Sequence, residues 1–544
     1  MCHLYPQGTT PFSSGQKFHW GALYGSAQAL ALIEFAKTQD DVVLVVANDI
    51  THFEQLFKSL CFYNDDLEIL KLDNWEVLAF DHFSPHPDIT SSRLNTLSKL
   101  PNLKRGIVIV TLESLVQRLC PIAFSEGYSF NLKVGDTLEI QAFTQRLLKI
   151  GYNRVTKVMA HGEFSVKGAL IDIYPMGANT PFRLDLFDQE IDSIRAFDVT
   201  TQRSVEVVQA VSLLPAREFA TDQNSIEIFQ QNYQKTFGDT EGFVFDEVTN
   251  ARLPSGIEFY LPLFFTQTNT LFDYLPSTSI VASSEGLNAF VDSVYNEISS
   301  RHQQASENLD RLPLPIAQVF IEKQQLFSQI KQRQQVVIGS SKQEEKPGRL
   351  NFDTQLLPPL NINAQNKAPL KKFLAFEKKF SGKILIVCES QGRQSVLSDL
   401  LTSHALTPSA VDTWQDFLDS NKKLCITNDE LSEGLLTQDI AIITEVNLFG
   451  ADVVKQKRRR RAKHKDFDEA IKSLVEIQRG DPVVHENYGV GRYLGLKTQT
   501  FDGLTQDFLM LEYAKGSKLM VPMTSLNLIS RYSGASPELA PLHK

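Results

Sequence analysis

The 544 residues include 42% hydrophobic and 22% charged side chains, an ordinary globular mix in a chain long enough for several cored domains. A net charge of −10, with 54 basic against 64 acidic residues, argues against a surface coated for sequence-independent binding to nucleic-acid phosphates. Five scattered cysteines without a C-x-x-C argue against disulfides and cysteine zinc sites and suit a reducing cytoplasm, and neither a membrane span nor a signal peptide is visible.

Residues 1–18 are polar and broken by Pro and Gly, the text of a loose arm. Strand–helix alternation then begins. Ala29, Leu32, Ile33 and Ala36 keep helical spacing and predict a helix over Ser26–Lys37, while Phe53, Leu56, Phe57 and Leu60 mark another. Val42–Ala47 and Gly106–Val110 read as buried parallel strands, so residues 1–122 are expected to begin a doubly wound α/β domain.

Residues 123–212 turn strand-rich, with one helix near Ile140–Ile150. Three strand signals follow at Phe164–Tyr174, Phe182–Phe187 and Ile191–Phe197, the first gap punctuated by Pro175, Gly177, Asn179 and Pro181. In the second signal, period two puts Arg183, Asp185 and Phe187 on one face and Phe182, Leu184 and Leu186 on the other. Either the first face stands open, with a guanidinium beside an aromatic ring as at protein–protein hot spots, or Phe187 enters a second core.

Helical text resumes at Ser225–Thr236 and a strand at Ser279–Ala282, so residues 213–335 are expected to complete the interrupted α/β domain. Gln303–Leu314 and Ser340–Gly348 read as linker or loop. A second small α/β unit, residues 345–452, carries strands at Lys383–Cys388, Lys423–Thr427 and Ile440–Thr444 and a helix at Gln391–Leu401. The basic run Lys455–Lys465, within a linker at 453–475, is either a solvated spacer or a transient contact for DNA or RNA phosphates. Strand runs at Val483–His485, Phe508–Tyr513 and Leu519–Val521 predict a small SH3/Tudor-like β-barrel over residues 476–536.

Chemical motifs mostly fail on inspection. The place for a phosphate-binding loop is Gly21 to Gly25, Ser26 and Ala27, before the first helix. A working loop needs a lysine for the β- and γ-phosphates and a neighbouring hydroxyl for magnesium, but Ala27 and Gln28 stand there. Phe243–Glu247 mimics an apolar strand ending in a magnesium-holding Asp-Glu pair; without the lysine it reads as a surface strand end, as does Asp429-Glu430. Gly489, Gly491 and Gly495 miss the dinucleotide spacing by one residue and read as turns within a barrel. His82, His86 and Asp88 have ligand-like spacing, but Pro85 and Pro87 favour a rigid structural turn over a metal site. No catalytic residue and no metal ligand is assigned.

GEFSVKGALIDIYP followed by FRLDLFDQEIDSIRAFD resembles the module shared by the excision-repair protein UvrB and the bacterial transcription-repair coupling factors (Mfd). FSPHPDITSSRL, PAREF, LPSGIEFYLPLFF, DPVVHENYGVGRY and VPMTSLNLISRY, in collinear order from residue 83 to 532, look like the coupling-factor family rather than UvrB. UvrB's DNA-inserting hairpin has no room here, because Trp75–Phe80 runs almost directly into FSPHPDI. The resemblance implies the N-terminal half of a coupling factor: a degenerate UvrB-like domain, an inserted UvrA-binding module, a small α/β domain of unclear role and a polymerase-binding barrel. The family's ATP- and magnesium-dependent motor, through which it mainly engages DNA, would lie beyond Lys544.

The resemblance also implies sites. The family's UvrA-facing patch of two arginines and a phenylalanine falls on Lys167, Arg183 and Phe187, where Lys167 keeps the charge but loses the planar fork. The three are expected to be exposed together on adjacent strands, so that Arg183→Glu would leave folding untouched. The surface for the RNA polymerase β subunit falls on Leu494, Leu496, Lys497, Gln499 and Phe501, with Phe501 a substitute for the apolar residue that Gln499 replaces. The expected product is a monomeric, cytoplasmic, non-catalytic adaptor without a cofactor of its own. Two rivals remain: a UvrB-like damage-binding ATPase, and a stand-alone polymerase-binding regulator.

Overall fold

The computed structural model describes residues 4–5, 16–238, 242–362, 370–450, 480–485, 488–501, 504–522 and 529–531. The chain divides into two units, Met1–Trp75 with Ser84–Ala451, and Glu76–Phe83 with Asp452–Lys544. Among the described residues no helix is long and apolar enough to cross a membrane.

The first unit opens with β1 (Lys17–Gly21), α1 (Ala27–Thr38), β2 (Val42–Ala47), α2 (Ile50–Tyr63), β3 (Ile69–Leu72), α3 (Pro87–Lys99) and β4 (Gly106–Thr111). β2 and β4 are buried at every position, as their unbroken apolar text requires, and pair in parallel from Val42–Gly106 to Ala47–Thr111. Asp49 caps α2 by accepting the His52 N–H at 2.8 Å, a bond worth about 1 kcal/mol. No strand lies between β3 and α3.

The inserted module holds β5 (Phe130–Lys133), β6 (Asn153–Arg154), β7 (Glu163–Lys167), β8 (Leu170–Ile173), β9 (Phe182–Phe187), β10 (Glu190–Phe197), β11 (Ser204–Val208) and β12 (Ala210–Leu213). Six strands form one sheet in the order β11-β10-β9-β8-β7-β6, and β12 pairs with β5. The expected single strand Phe164–Tyr174 is instead a hairpin, because Gly168, at φ 64°, turns the chain between β7 and β8. Phe164, Ile171, Leu184, Ile191 and Ile194 point inward onto Phe143 and Leu147 of the helix Ile140–Lys149. Leu94 of α3 enters the same core and fastens the module to the α/β domain.

Returning strands β13 (Ile280–Ser284) and β14 (Gln334–Ile338) insert between β1 and β2, and β15 (Arg349–Asn351) adds at the edge. The seven-stranded sheet runs β15-β1-β14-β13-β2-β4-β3 with every pairing parallel. Residues 349–351, counted from sequence with the small α/β unit, thus belong to the first sheet. Phe243–Glu247 begins a helix, Phe243–Thr249, not a strand end: Val244 and Val248, four apart, bury one helical face.

The small unit's own sheet contains β16 (Lys383–Cys388), β17 (Ser409–Ala410), β18 (Leu424–Asn428), β19 (Leu435–Leu436) and β20 (Ile440–Thr444), ordered β17-β18-β16-β20-β19. Leu385, Val387, Cys425 and Ile442 share one core with Phe35 of α1, Phe53 of α2 and Val43 and Ile107 of the large sheet. Ile384, Ile386, Ile426 and Ile443 alternate into a separate core on the far face. α1 and α2 are therefore a helical layer clamped between two sheets.

In the second unit, β21 (Pro482–His485), β22 (Gly489–Phe501), β23 (Leu504–Glu512), β24 (Lys518–Pro522) and β25 (Ile529–Arg531) form an antiparallel sheet ordered β24-β23-β22-β21-β25. Its core includes Val483, Leu509, Leu511, Val521 and Ile529. Gly489–Gly495, expected as turns, lies within a long strand. Gly491 lets the Tyr513 ring approach, since a Cβ would sit 3.1 Å from its Cζ, and Gly495 (φ 116°) ends a bulge. The basic run Lys455–Lys465 lies outside the described residues.

Candidate functional site

The phosphate-loop position keeps its place in the fold, between β1 and α1, but five of its backbone donors have internal acceptors. Ala22 N–H donates to Ser341 O at 3.2 Å, Leu23 N–H to Gly339 O at 3.3 Å and Tyr24 N–H to Thr354 Oγ1 at 3.3 Å. Ser26 N–H donates to Gly434 O at 3.0 Å and Ala27 N–H to Tyr24 O at 3.2 Å. Gly25 (φ 58°) lies so close that a Cβ there would collide with the Gly434 carbonyl oxygen, which comes from the small unit. Ser26 Oγ is 2.7 Å from Tyr63 Oη in the interior, and Ala27 is wholly buried. Gly21, Gly25, Ser26 and Ala27 thus form a docking surface for residues 339–354 and 434.

Sequence motifs more than a hundred residues apart meet in a second place, a buried charge network. Arg93, fully buried, donates from Nε to Glu218 Oε1 at 2.5 Å and from Nη1 to Asp73 O at 2.6 Å. Trp75 Nε1 also donates to Glu218 at 3.2 Å. Nearby, Ser84 Oγ donates to Glu258 Oε2 at 2.6 Å and accepts Gly256 N–H at 3.0 Å. Burial pushes the Glu258 carboxyl above its ordinary range despite the neighbouring Arg217. The motif segments SSRL, PAREF, FSPHPD and LPSGIEF therefore supply one structural joint.

His86 and Asp88 serve the same joint. His86 caps α3 through its Nδ1, and Asp88 Oδ1 is 2.7 Å from Nδ1 of His161 in the module. Asp429-Glu430 follows β18, and Glu430 pairs with Lys58 of α2 at 2.7 Å.

The outer face of the six-stranded sheet is different in kind. Register puts Lys167, Leu170, Asp185 and Ser193 in one cross-strand row and Ser165, Asp172, Arg183, Arg195 and Val207 in the next. Phe187, at the end of β9, is 75% exposed, which removes the second-core reading. Lys167 is exposed too. Arg183 is not: it is 25% accessible and forks onto the buried Asp172, Nε to Oδ1 at 2.7 Å and Nη2 to Oδ2 at 3.0 Å. Its guanidinium also lies 5.1 Å from the centre of the Phe197 ring, and Asp172 raises its pKa further.

Two expectations fail here. Lys167 and Arg183 are not on adjacent strands, because β8 lies between them. Arg183 is half-buried and structurally paired, so a glutamate there would face Asp172 and disturb the fold. Asp172 was missed from sequence. Its signal was a lone carboxylate in the apolar run LIDI, visible as a partner only once the hairpin at Gly168 sets it opposite Arg183.

Leu494, Leu496, Lys497, Gln499 and Phe501 all lie on β22, whose pairing with β23 shifts register between Tyr493 and Gly495. Leu494 is half-buried and Lys497 exposed. Leu496 stands opposite Leu509, Gln499 opposite Gln506 and Phe501 opposite Leu504.

Comparison with known proteins places these features in a family. Residues 130–219 match the UvrB interaction domain, residues 376–448 the MFD D3 domain, and residues 477–533 the CarD-like/TRCF RID domain. The chain is 37% identical over 540 residues to the transcription-repair-coupling factor of Escherichia coli K12, covering 98% of this chain and 47% of that protein. It is 36% identical to that of Haemophilus influenzae over 530 residues, 96% of this chain and 46% of the relative. It is 25% identical to that of Bacillus subtilis over 558 residues, again 96% and 46%. Over the part that it spans, the chain fits an N-terminal fragment of a transcription-repair-coupling factor. The chain spans about half the length of the curated relatives it matches. In coupling-factor terms the open face belongs to the UvrB interaction domain, β21 to β25 lie in the RID domain, and the sheet of β16 to β20 overlaps the D3 domain.

Proposed function

We propose that this chain is a non-catalytic adaptor of transcription-coupled repair, which holds RNA polymerase through its β subunit and recruits UvrA. The observation that carries the reading is Phe187, 75% exposed on an open sheet face within the segment that matches a UvrB interaction domain. Lys167 and Phe187 make direct contacts with UvrA, and Arg183, steered by Asp172, offers its remaining edge. On the same reading β21 to β25 build an SH3/Tudor-like barrel that meets the polymerase along Leu494, Leu496, Lys497, Gln499 and Phe501 of β22.

The chain hydrolyses no ATP and holds no cofactor or metal, because Ala27 replaces the phosphate-reaching lysine and the N–H groups of Ala22, Leu23, Tyr24, Ser26 and Ala27 already have internal acceptors. On this reading ATP, magnesium and most DNA contact fall to a motor outside the part that this chain spans. It acts as a cytoplasmic monomer.

Calorimetry of the chain with purified UvrA tests the first contact. Phe187→Ala is expected to weaken binding at least about tenfold while the melting temperature stays unchanged. Equal affinities in folded proteins would place the patch elsewhere. Capture of the isolated polymerase β subunit, lost in Phe501→Ala and retained in Phe187→Ala, tests the second.

A further inference from the structure

The six-stranded sheet ends on β11, and that end is bare. Ser204–Val207 is exposed throughout, with Val205 74% and Val207 61% accessible. One edge of β11 pairs with β10, Arg195 opposite Val207 and Ala196 opposite Glu206. Among the described residues no strand or bridge pairs with the other edge. β12, one residue further on, also pairs on one side only, with β5. An open row of backbone N–H and C=O groups recruits another strand unless charges, prolines or covering loops blunt it. A bulge at Val205 bends one end, and Glu206 is the single charge between two exposed valines.

We propose that β11 is a docking edge for an extended segment of a protein partner in which apolar and basic residues alternate. This goes beyond the UvrA and polymerase surfaces above, since it uses the sheet's edge rather than its face. Main-chain pairing would continue the ladder, and side chains at alternate positions would read the valines and the carboxylate. A second copy of this chain fits poorly. An antiparallel copy that matched Val205 with Val207 would set Glu206 directly against Glu206, and like charges opposite each other destabilise a ladder. A segment with lysine or arginine opposite Glu206 and an aliphatic residue opposite Val207 satisfies both, and the chain's net charge of −10 favours such a basic partner.

The test uses the whole chain and a capped seven-residue peptide of alternating valine and lysine, followed by fluorescence anisotropy. The peptide should bind, and Glu206→Lys should weaken it at least about tenfold while gaining affinity for the valine–glutamate counterpart. Two N-methylated isomers, methylated on the valines or on the lysines, remove N–H groups from opposite edges of the peptide. One should bind as well as the parent and the other should fail. No binding, equal binding of the isomers or indifference to Glu206→Lys would overturn the proposal. Dimerisation of the wild-type chain in sedimentation, abolished by Val207→Lys, would assign the edge to a second copy and overturn the proposed partner. Glu206 and Val207 are both exposed, so unchanged thermal melts are the control for folding.

Discussion

At the start of α1, glycines, a hydroxyl and helix N–H groups stand in the pattern of a phosphate cradle, yet the N–H groups of Ala22, Leu23, Tyr24, Ser26 and Ala27 all have internal acceptors. On the outer face of the module no motif is spelled out, yet Lys167, Phe187, Val205 and Val207 stand open to solvent. A site is defined by unspent groups. In the first region the fold has used the pattern as a joint between two sheets; in the second, strand alternation has left side chains with nothing inside to satisfy.

The most damaging way to probe the contrast is at the interior joint. Arg93→Ala, which strands Glu218 in the core, is expected to cost about 3–5 kcal/mol in denaturant unfolding. A loss below about 1 kcal/mol would mean that the network is not the fastening it resembles. Next comes Gly25→Ala, which combines a left-handed backbone with a collision at Gly434; about 2–3 kcal/mol should be lost, and ATP binding should not appear. ATP binding by this variant would show that the loop retains a latent phosphate site.

Within the open face the same distinction divides two neighbours. Arg183→Ala leaves the buried Asp172 without its fork and should lower stability by about 1–3 kcal/mol, whereas Phe187→Ala should change it by less than about 0.5 kcal/mol. If the two variants melt alike, Arg183 is a free surface group after all.

The smallest effect concerns the clasp between module and α/β domain. The hydrogen bond from His161 holds the Asp88 carboxyl below its ordinary value of 3.8. The stability this contributes is fully present above that value and is lost as pH falls through the lower folded-state pKa. The melting-temperature gap between wild type and Asp88→Asn should therefore be constant near neutrality and shrink below about pH 4. A gap that instead opened in acid would reverse the sign.

Most strands and helices were legible because their periods are local: Val42–Ala47, Gly106–Val110 and Ile440–Thr444 read correctly from apolar runs alone. Two of the misreadings occurred where a glycine's role depends on its neighbours. Gly168 turns a hairpin, whereas Gly491 lies inside a strand beneath an aromatic ring, and neither context is written beside the residue. Phe187 as an open side chain was legible as one of two options. The capture of Arg183 by Asp172 was not, since it needs the register of β8 against β9. Nor did the sequence reveal that the small α/β unit shares its core with α1 and α2, because apolar text does not say which helix it will cover.

The proposed function puts partner binding on the open face of the module and not at the loop at α1. Isothermal calorimetry of the full chain with UvrA, comparing wild type, Phe187→Ala and Gly25→Ala, tests it most directly. Phe187→Ala should lose most of the binding with an unchanged melt, while Gly25→Ala, though less stable, should bind as wild type at a temperature where it remains folded. Wild-type affinity in Phe187→Ala together with lost binding in folded Gly25→Ala would contradict it.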